Sequence, residues 1–147
     1  MSEEAINFPQ RARNGLRALD GQGRTMPHSI EAEEFLLACI FLDGNDVLAR
    51  CELIQLTPGA FYDTRHQTIY EVARDMWRKN FPIDVSTVAE ELRTRQRLDE
   101  MGGYAFLTQV SSRIPTTAQA GFFLEKVFEQ GLLRAFIRDS DQAREDA

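Results

Sequence analysis

The chain has 147 residues, of which 43% are apolar, 10% aromatic and 27% charged. This composition allows one ordinary domain with tails and excludes general disorder. The net charge of −6 argues against a surface devoted to phosphate binding, which requires a dominant basic face. The longest apolar run, residues 35–42, has eight residues, whereas a bilayer-spanning helix needs about 20. We therefore expect a soluble protein that does not enter the membrane.

Cys39 and Cys51 are the two cysteines, and no signal-type apolar segment opens the sequence. Both features favour a reducing cytoplasm without a disulfide. Residues 1–27 contain three Gly, two Pro and no sustained periodicity, so we predict a flexible arm there. The arm carries four Arg against three acidic residues. Contact with nucleic acid is conceivable, although terminal arms of this composition are usually only solvated.

Helical patterns follow the arm. Ser29 is expected to cap a helix over residues 30–42, a second helix is predicted over residues 46–56, and Asp63 is expected to cap a long helix that ends near Lys79. In that third helix, the spacing predicts a core-facing stripe of Ile69, Val72, Met76 and Trp77. The spacing also favours a packed or helix-end histidine at His66 over a ligand.

Asp84 is expected to cap the next helix, and a short amphipathic element follows Gly102-Gly103. The last helix is predicted from Ala118 to the terminus. The sequence lacks the period-two alternation of strands, so the fold class is predicted to be all-α. We expect a compact head of about six helices over residues 28–115, followed by a long C-terminal helix over residues 116–147.

The sequence offers no convincing catalytic, cofactor or metal site. The dipeptide Gly-Lys of a phosphate-binding loop does not occur, and the nearest lookalike, residues 21–25, lacks the lysine and a preceding strand. The Cys and His residues are scattered without paired spacing, and both cysteines lie in apolar patterns typical of core residues. Carboxylates such as Glu33-Glu34 are predicted on outward faces. We therefore expect an interaction module that neither binds nor hydrolyses ATP.

Five sequence blocks occur in order and resemble one family, the N-terminal domain of DnaB-type replicative DNA helicases. They are Met26-Pro27-His28-Ser29-Ile30-Glu31-Ala32-Glu33; Leu56-Thr57-Pro58-Gly59-Ala60-Phe61-Tyr62 with Arg65-His66-Gln67-Thr68-Ile69-Tyr70; Phe81-Pro82-Ile83-Asp84-Val85-Ser86-Thr87-Val88-Ala89-Glu90-Glu91-Leu92; Gly102-Gly103-Tyr104-Ala105-Phe106-Leu107; and Ile114-Pro115-Thr116-Thr117-Ala118.

The resemblance implies a helical head followed by a helical hairpin, of which the last helix would be the first arm. It implies pairing with copies of itself within a hexameric ring and docking of the primase C-terminal domain. A helicase loader is a further implied partner, and nucleic acid is involved only indirectly. In this family ATP hydrolysis belongs to a separate motor. A free-standing phage- or plasmid-type protein of the same fold, which regulates or loads a helicase, is the alternative.

The last helix holds more apolar residues than one core-facing stripe needs. Nine of the sixteen positions from Phe122 to Ile137 are large and apolar, and they spread around more than the roughly 100° of a single buried face. The surplus is expected to include Phe128, Leu132 and Phe136. We predict that these three residues form an interface with a second copy of the chain.

Overall fold

The computed structural model describes residues 26–146, with side chains as far as residue 142. Within this range six α-helices follow one another, with short 3-10 turns at Pro58–Ala60 and Asp99–Met101. The helices are α1 (Ile30–Leu42), α2 (Gly44–Leu53), α3 (Thr64–Arg78), α4 (Val85–Thr94), α5 (Gly103–Ser111) and α6 (Ala120–Asp146). Residues 26–146 contain no strand, so the predicted all-α class is confirmed. The predicted arm lies, except for Met26 and Pro27, outside the described residues.

The caps that begin three helices are those predicted from the sequence. The Ser29 hydroxyl accepts the backbone N–H of Ala32 at 3.2 Å, and the Asp63 carboxylate accepts that of Arg65 at 2.8 Å. Asp84 forms a reciprocal capping box with Thr87. Each cap satisfies a backbone donor that has no partner inside its helix.

The second helix begins and ends earlier than the predicted residues 46–56. Asp43 closes α1 through its backbone N–H, which donates to the Cys39 carbonyl, and caps α2 through its side chain, which accepts the Asp46 N–H. At the other end Gln55 has φ 59°, and the Leu56 N–H returns to the Cys51 carbonyl. This left-handed ending is usually made by glycine. Leu56 therefore leaves the helix and is buried in the core.

The first helix forms the centre of the head, because it contacts α2, α3, α5 and α6. Six consecutive residues of α1 are buried, which explains its unbroken apolar run; they are Leu36, Leu37, Ala38, Cys39, Ile40 and Phe41. Cys51 is buried beside this helix, and burial raises the pKa of its thiol to about 12. Both cysteines are therefore unreactive core residues, as predicted.

Three residues of the predicted stripe on α3, Ile69, Val72 and Met76, are buried. Trp77, predicted to join them, is only partly buried and packs against the edge of the core. No helix among the described residues is long and apolar enough to cross a membrane.

The last helix begins at Ala120, two residues later than predicted, and its 27 residues give it a length of about 40 Å. At Gly131 it crosses the turn at Pro58–Ala60. A Cβ atom at Gly131 would lie 2.8 Å from Ala60 Cα and 3.2 Å from the Ala60 carbonyl oxygen. Because these atoms belong to the backbone, they cannot move aside as a flexible side chain would. Glycine therefore allows this helix crossing.

We expect Gly131→Ala to lower the free energy of unfolding by about 1–3 kcal/mol, because the added methyl group forces the helix away from the turn. Gly121→Ala in the same helix is the matched control, since its Cβ would meet only Arg50 Nη1 at 3.8 Å. The control should be neutral or gain up to about 1 kcal/mol from helix propensity. Urea unfolding followed by circular dichroism measures both variants. Equal stability of the two variants would contradict the close crossing.

Candidate interaction surface on the last helix

The last helix has one face against the head and another in solvent. The buried face carries Ala120, Leu124, Val127 and Arg134. The opposite face exposes four large apolar residues, Phe122 (65%), Leu132 (55%), Leu133 (47%) and Phe136 (70%). Leu132, Leu133 and Phe136 follow the spacing of neighbours on one helical face. Together these three residues form what we call the outer patch.

The three residues predicted as an interface differ in their exposure to solvent. Leu132 and Phe136 are exposed in the outer patch, as expected. Phe128 is instead half-buried and packs against the core, so its predicted exposure is wrong. The reason is the helix crossing at Gly131, which draws the neighbouring turn of α6 onto the head. Leu133 and Phe122 were not singled out, although both belong to the apolar surplus of this helix.

A groove runs between α6 and the segment before α3. It encloses about 210 Å³. Its lining comprises Gln55, Thr57, Gly59 and Ala60 on one side and Phe128, Gly131, Leu132, Ala135 and Arg138 on the other. Small residues form much of the lining, with Phe128 and Leu132 as larger apolar walls. This shape suits short apolar side chains.

One carboxylate of α1 that was predicted to face solvent is buried. Glu33 is only 2% exposed, which corrects the prediction of an outward Glu33-Glu34 pair. Its two oxygens accept the backbone N–H groups of Tyr62 at 2.6 Å and Asp63 at 3.3 Å. His66 Nδ1 lies 2.7 Å from Glu33 Oε1 and donates to it, because an ionised carboxylate only accepts. Glu33 thus fastens α1 to the start of α3.

His66 is fully buried, as its place on an apolar stripe predicted. Its ring stacks against Phe106 at 6.0 Å between centroids, and its Nε2 atom has no hydrogen-bond partner. Neither Glu33 nor His66 borders the groove, so a substrate entering there would not reach them. Their geometry is that of a packing contact between helices.

A second buried charge joins three distant parts of the chain. Arg134 is 3% exposed and donates to the Pro27 carbonyl at 3.0 Å, the Gly59 carbonyl at 3.2 Å and the Ala60 carbonyl at 2.8 Å. Burial lowers the pKa of its guanidinium, whereas the charge of Glu33 raises it. The guanidinium also lies over the Tyr62 ring, on which His28 stacks at 4.0 Å. Arg134 therefore fixes the position of α6 on the head.

The described residues hold no group of three or more His, Cys, Asp or Glu side chains placed to bind a metal ion. What this surface offers a partner is an apolar patch and an apolar groove on a helix fixed by Gly131 and Arg134.

Comparison with known proteins shows which family this helical domain belongs to. Residues 25–129 match the sequence model of the DnaB-like helicase N-terminal domain. The chain belongs to this family. It superposes on the crystal structure of the N-terminal domain of DnaB helicase from Mycobacterium tuberculosis with a TM-score of 0.77 and 33% identity, covering 82% of this chain and 83% of that one. The family resemblance found in the sequence is thereby confirmed.

Full-length relatives are replicative DNA helicases. The chain is 32% identical over 123 residues to DnaB of Geobacillus stearothermophilus, covering 84% of this chain and 27% of that protein. It is 36% identical over 118 residues to DnaB of Mycobacterium leprae, covering 78% of this chain and 19% of that protein. The chain therefore spans about a quarter or less of these DnaB relatives and matches their N-terminal domain.

The buried carboxylate gives a test of how this family member holds its helices. Glu33→Ala leaves the Tyr62 and Asp63 N–H groups and the His66 ring without their acceptor. We expect it to lower the free energy of unfolding by about 3 kcal/mol or more. Glu34→Ala is the matched control, because Glu34 pairs with Arg113 near the surface, where an ion pair contributes about 1 kcal/mol or less. Urea unfolding at neutral pH compares them, and similar losses would contradict the role of Glu33.

Proposed function

We propose that this chain is the assembly and docking module of a replicative helicase. It pairs with copies of itself within a hexameric ring and receives the primase, and ATP hydrolysis belongs to a different part of the helicase. The observation that carries the proposal is the outer patch of α6, because three large apolar side chains remain in solvent on a helix that the head holds in place. Membership of the helicase N-terminal domain family supports it.

The anchoring of α6 favours pairing. Near its start, Phe123 packs on Phe35 of α1 at 5.0 Å between ring centroids. Further along, Gly131 and Arg134 hold it against the turn at Pro58–Ala60. A surface that is already in its bound orientation loses little conformational freedom on association. The outer patch lies beside these anchors and is presented at a defined angle.

Self-association tests this proposal directly. In sedimentation velocity at tens of micromolar, the native chain should form a dimer or larger species, and Leu132→Asp with Phe136→Asp should shift it to monomer. The Asp side chains place a charge where the partner would remove water. Leu53→Asp is the matched control, because Leu53 on α2 is 84% exposed, and it should leave the assembly intact.

A native chain that remains monomeric under these conditions would contradict the proposal. So would equal loss of assembly in the Leu53 control. Thermal unfolding followed by circular dichroism should give similar transitions for all three proteins, because every substituted side chain is largely exposed.

The head provides a separate surface for the primase C-terminal domain. Its exposed large apolar residues are Leu42, Leu53, Ile54, Phe81 and Tyr104. A helicase loader is a further partner class for this surface. Single exposed apolar residues are common on protein surfaces. The proposal of a primase surface is therefore supported by the number of such residues on the head and by the family membership. The proposed place of action is the cytoplasm, where reduced thiols such as Cys39 and Cys51 persist.

Binding of the purified primase from the same organism tests the second surface. Leu53→Asp should weaken binding at least about tenfold, which corresponds to 1.4 kcal/mol, while Phe136→Asp should leave it unchanged. Phe136→Asp is the control in this measurement, whereas Leu53→Asp is the control in the sedimentation experiment. Calorimetry gives both affinities. Loss of primase binding in Phe136→Asp alone would place the docking surface on α6 instead.

A further inference from the structure

Three residues before α1 are docked on the head although they belong to no helix. Met26 is 5% exposed, Pro27 is also buried, and His28 is half-buried. We call residues 26–28 the strap. Met26 is buried outside the main apolar cluster that the described residues form. Because it is not packed into that cluster, the strap can leave the head without opening the core.

The polar groups of the strap find their partners in the docked position. The His28 ring stacks on Tyr62 at 4.0 Å between centroids, with 15° between the two planes. Its Nδ1 atom donates to the Met26 carbonyl at 2.9 Å, since a carbonyl oxygen only accepts. The Pro27 carbonyl accepts from Arg134 at 3.0 Å, and proline has no N–H group that would need a partner. These contacts hold the strap in one arrangement.

Arg134 depends on the strap in turn. Its Nη1 atom donates to Pro27, whereas its Nη2 atom donates to the Gly59 and Ala60 carbonyls. If the strap left, the Nη1 end of a side chain that is only 3% exposed would lose this acceptor and meet water. A buried donor without its acceptor is unfavourable, and hydrogen bonds are weaker beside water than in a shielded site. Release of the strap therefore weakens the hold of Arg134 on the turn.

The outer patch shares a helical turn with Arg134. Leu132, Leu133 and Phe136 lie within two residues of it along α6 and face solvent. We propose that the strap is a latch for this part of the helix. Its docking on Tyr62 and Arg134 holds the turn and the outer patch in place, and its release lets them move away from the head.

The latch also regulates self-association, a step that rests on the proposed function. A patch that is already fixed in its bound orientation loses less freedom on assembly than a mobile one. Anything that lifts the strap therefore weakens pairing through the outer patch. Assembly in turn strengthens the docking of the strap, because coupling between two sites is reciprocal.

Hydrogen exchange measured by mass spectrometry on the full chain tests the latch. Dilution to about 1 µM keeps assembly out of the measurement. We expect Met26→Ala to speed the exchange of amides 132–138 about fivefold or more relative to amides 69–76 of α3, because the latch opens one helix and not the other.

Met101→Ala is the matched control for general destabilisation. It removes the same atoms from a residue that is 2% exposed and belongs to the main apolar cluster. It should leave the ratio of the two exchange rates unchanged within about twofold. Equal ratios in Met26→Ala and Met101→Ala would overturn the latch.

A second background shows whether the strap acts through Arg134. In an Arg134→Lys chain the charge remains, but lysine cannot present a rigid fork of donors to separate carbonyls. Adding Met26→Ala to this chain should speed exchange of amides 132–138 by less than about twofold, since the contact that it weakens is already lost. An undiminished effect in this background would overturn the proposal, because the strap would then act without Arg134.

Sedimentation velocity tests the regulatory step. His28→Ala removes the ring that stacks on Tyr62 and should raise the dissociation constant of assembly about fivefold or more. Gln109→Ala, which shortens an exposed side chain of α5, is the control and should leave assembly unchanged. Faster exchange of amides 132–138 in His28→Ala without any loss of assembly would overturn the regulatory step. A native chain that stays monomeric would contradict the proposed function instead, and the exchange rates of the monomer would still decide the latch.

Discussion

The Arg134 guanidinium is the contact on which the arrangement of this domain depends. It reaches the carbonyls of Pro27, Gly59 and Ala60, which belong to two segments far from Arg134 in sequence. Arginine suits this position because its planar head presents several donors at fixed angles and keeps its charge when buried. Hydrogen bonds from a charged donor are stronger than neutral ones. One side chain thereby fixes the last helix, the turn before α3 and the point where the N-terminal residues join the head.

Glu33 complements this cation by binding the residues that directly follow the turn. Its carboxylate holds the Tyr62 and Asp63 N–H groups at the start of α3, and its charge favours the protonated form of Arg134. Two buried charges of opposite sign thus share the segment between the turn and α3. The backbone of that segment supplies donors to Glu33 and acceptors to Arg134. These contacts give hydrogen-bond partners to four peptide groups of the segment that joins the turn to α3.

The caps of α1, α3 and α4 were predictable because each depends on a few adjacent residues. The end of α2 was not predictable, because Gln55 takes a left-handed conformation there. A glycine at this position would have been a recognisable signal in the sequence. The same ending recurs at Asn80 after α3 and at Gln96 after α4. Glu33 was misplaced because it stands in an acidic first turn, where Asp and Glu favour the helix dipole. Its spacing from Leu36, Leu37 and Ile40 was the available signal, since it places Glu33 on the buried stripe.

The last helix shows why its candidate site could be predicted only in part. The face of α6 that crosses the head is set by Gly131, which allows close approach, and by Arg134, which supplies hydrogen bonds. Hydrophobic periodicity assumes that the most apolar face is the buried one. Here a glycine and an arginine lie on the face that contacts the head, and Leu132, Leu133 and Phe136 consequently face solvent. The apolar surplus that the sequence revealed was real. Which of these apolar residues are buried and which are exposed depended on Gly131 and Arg134, and a hydrophobic pattern does not identify such residues as contacts with the head.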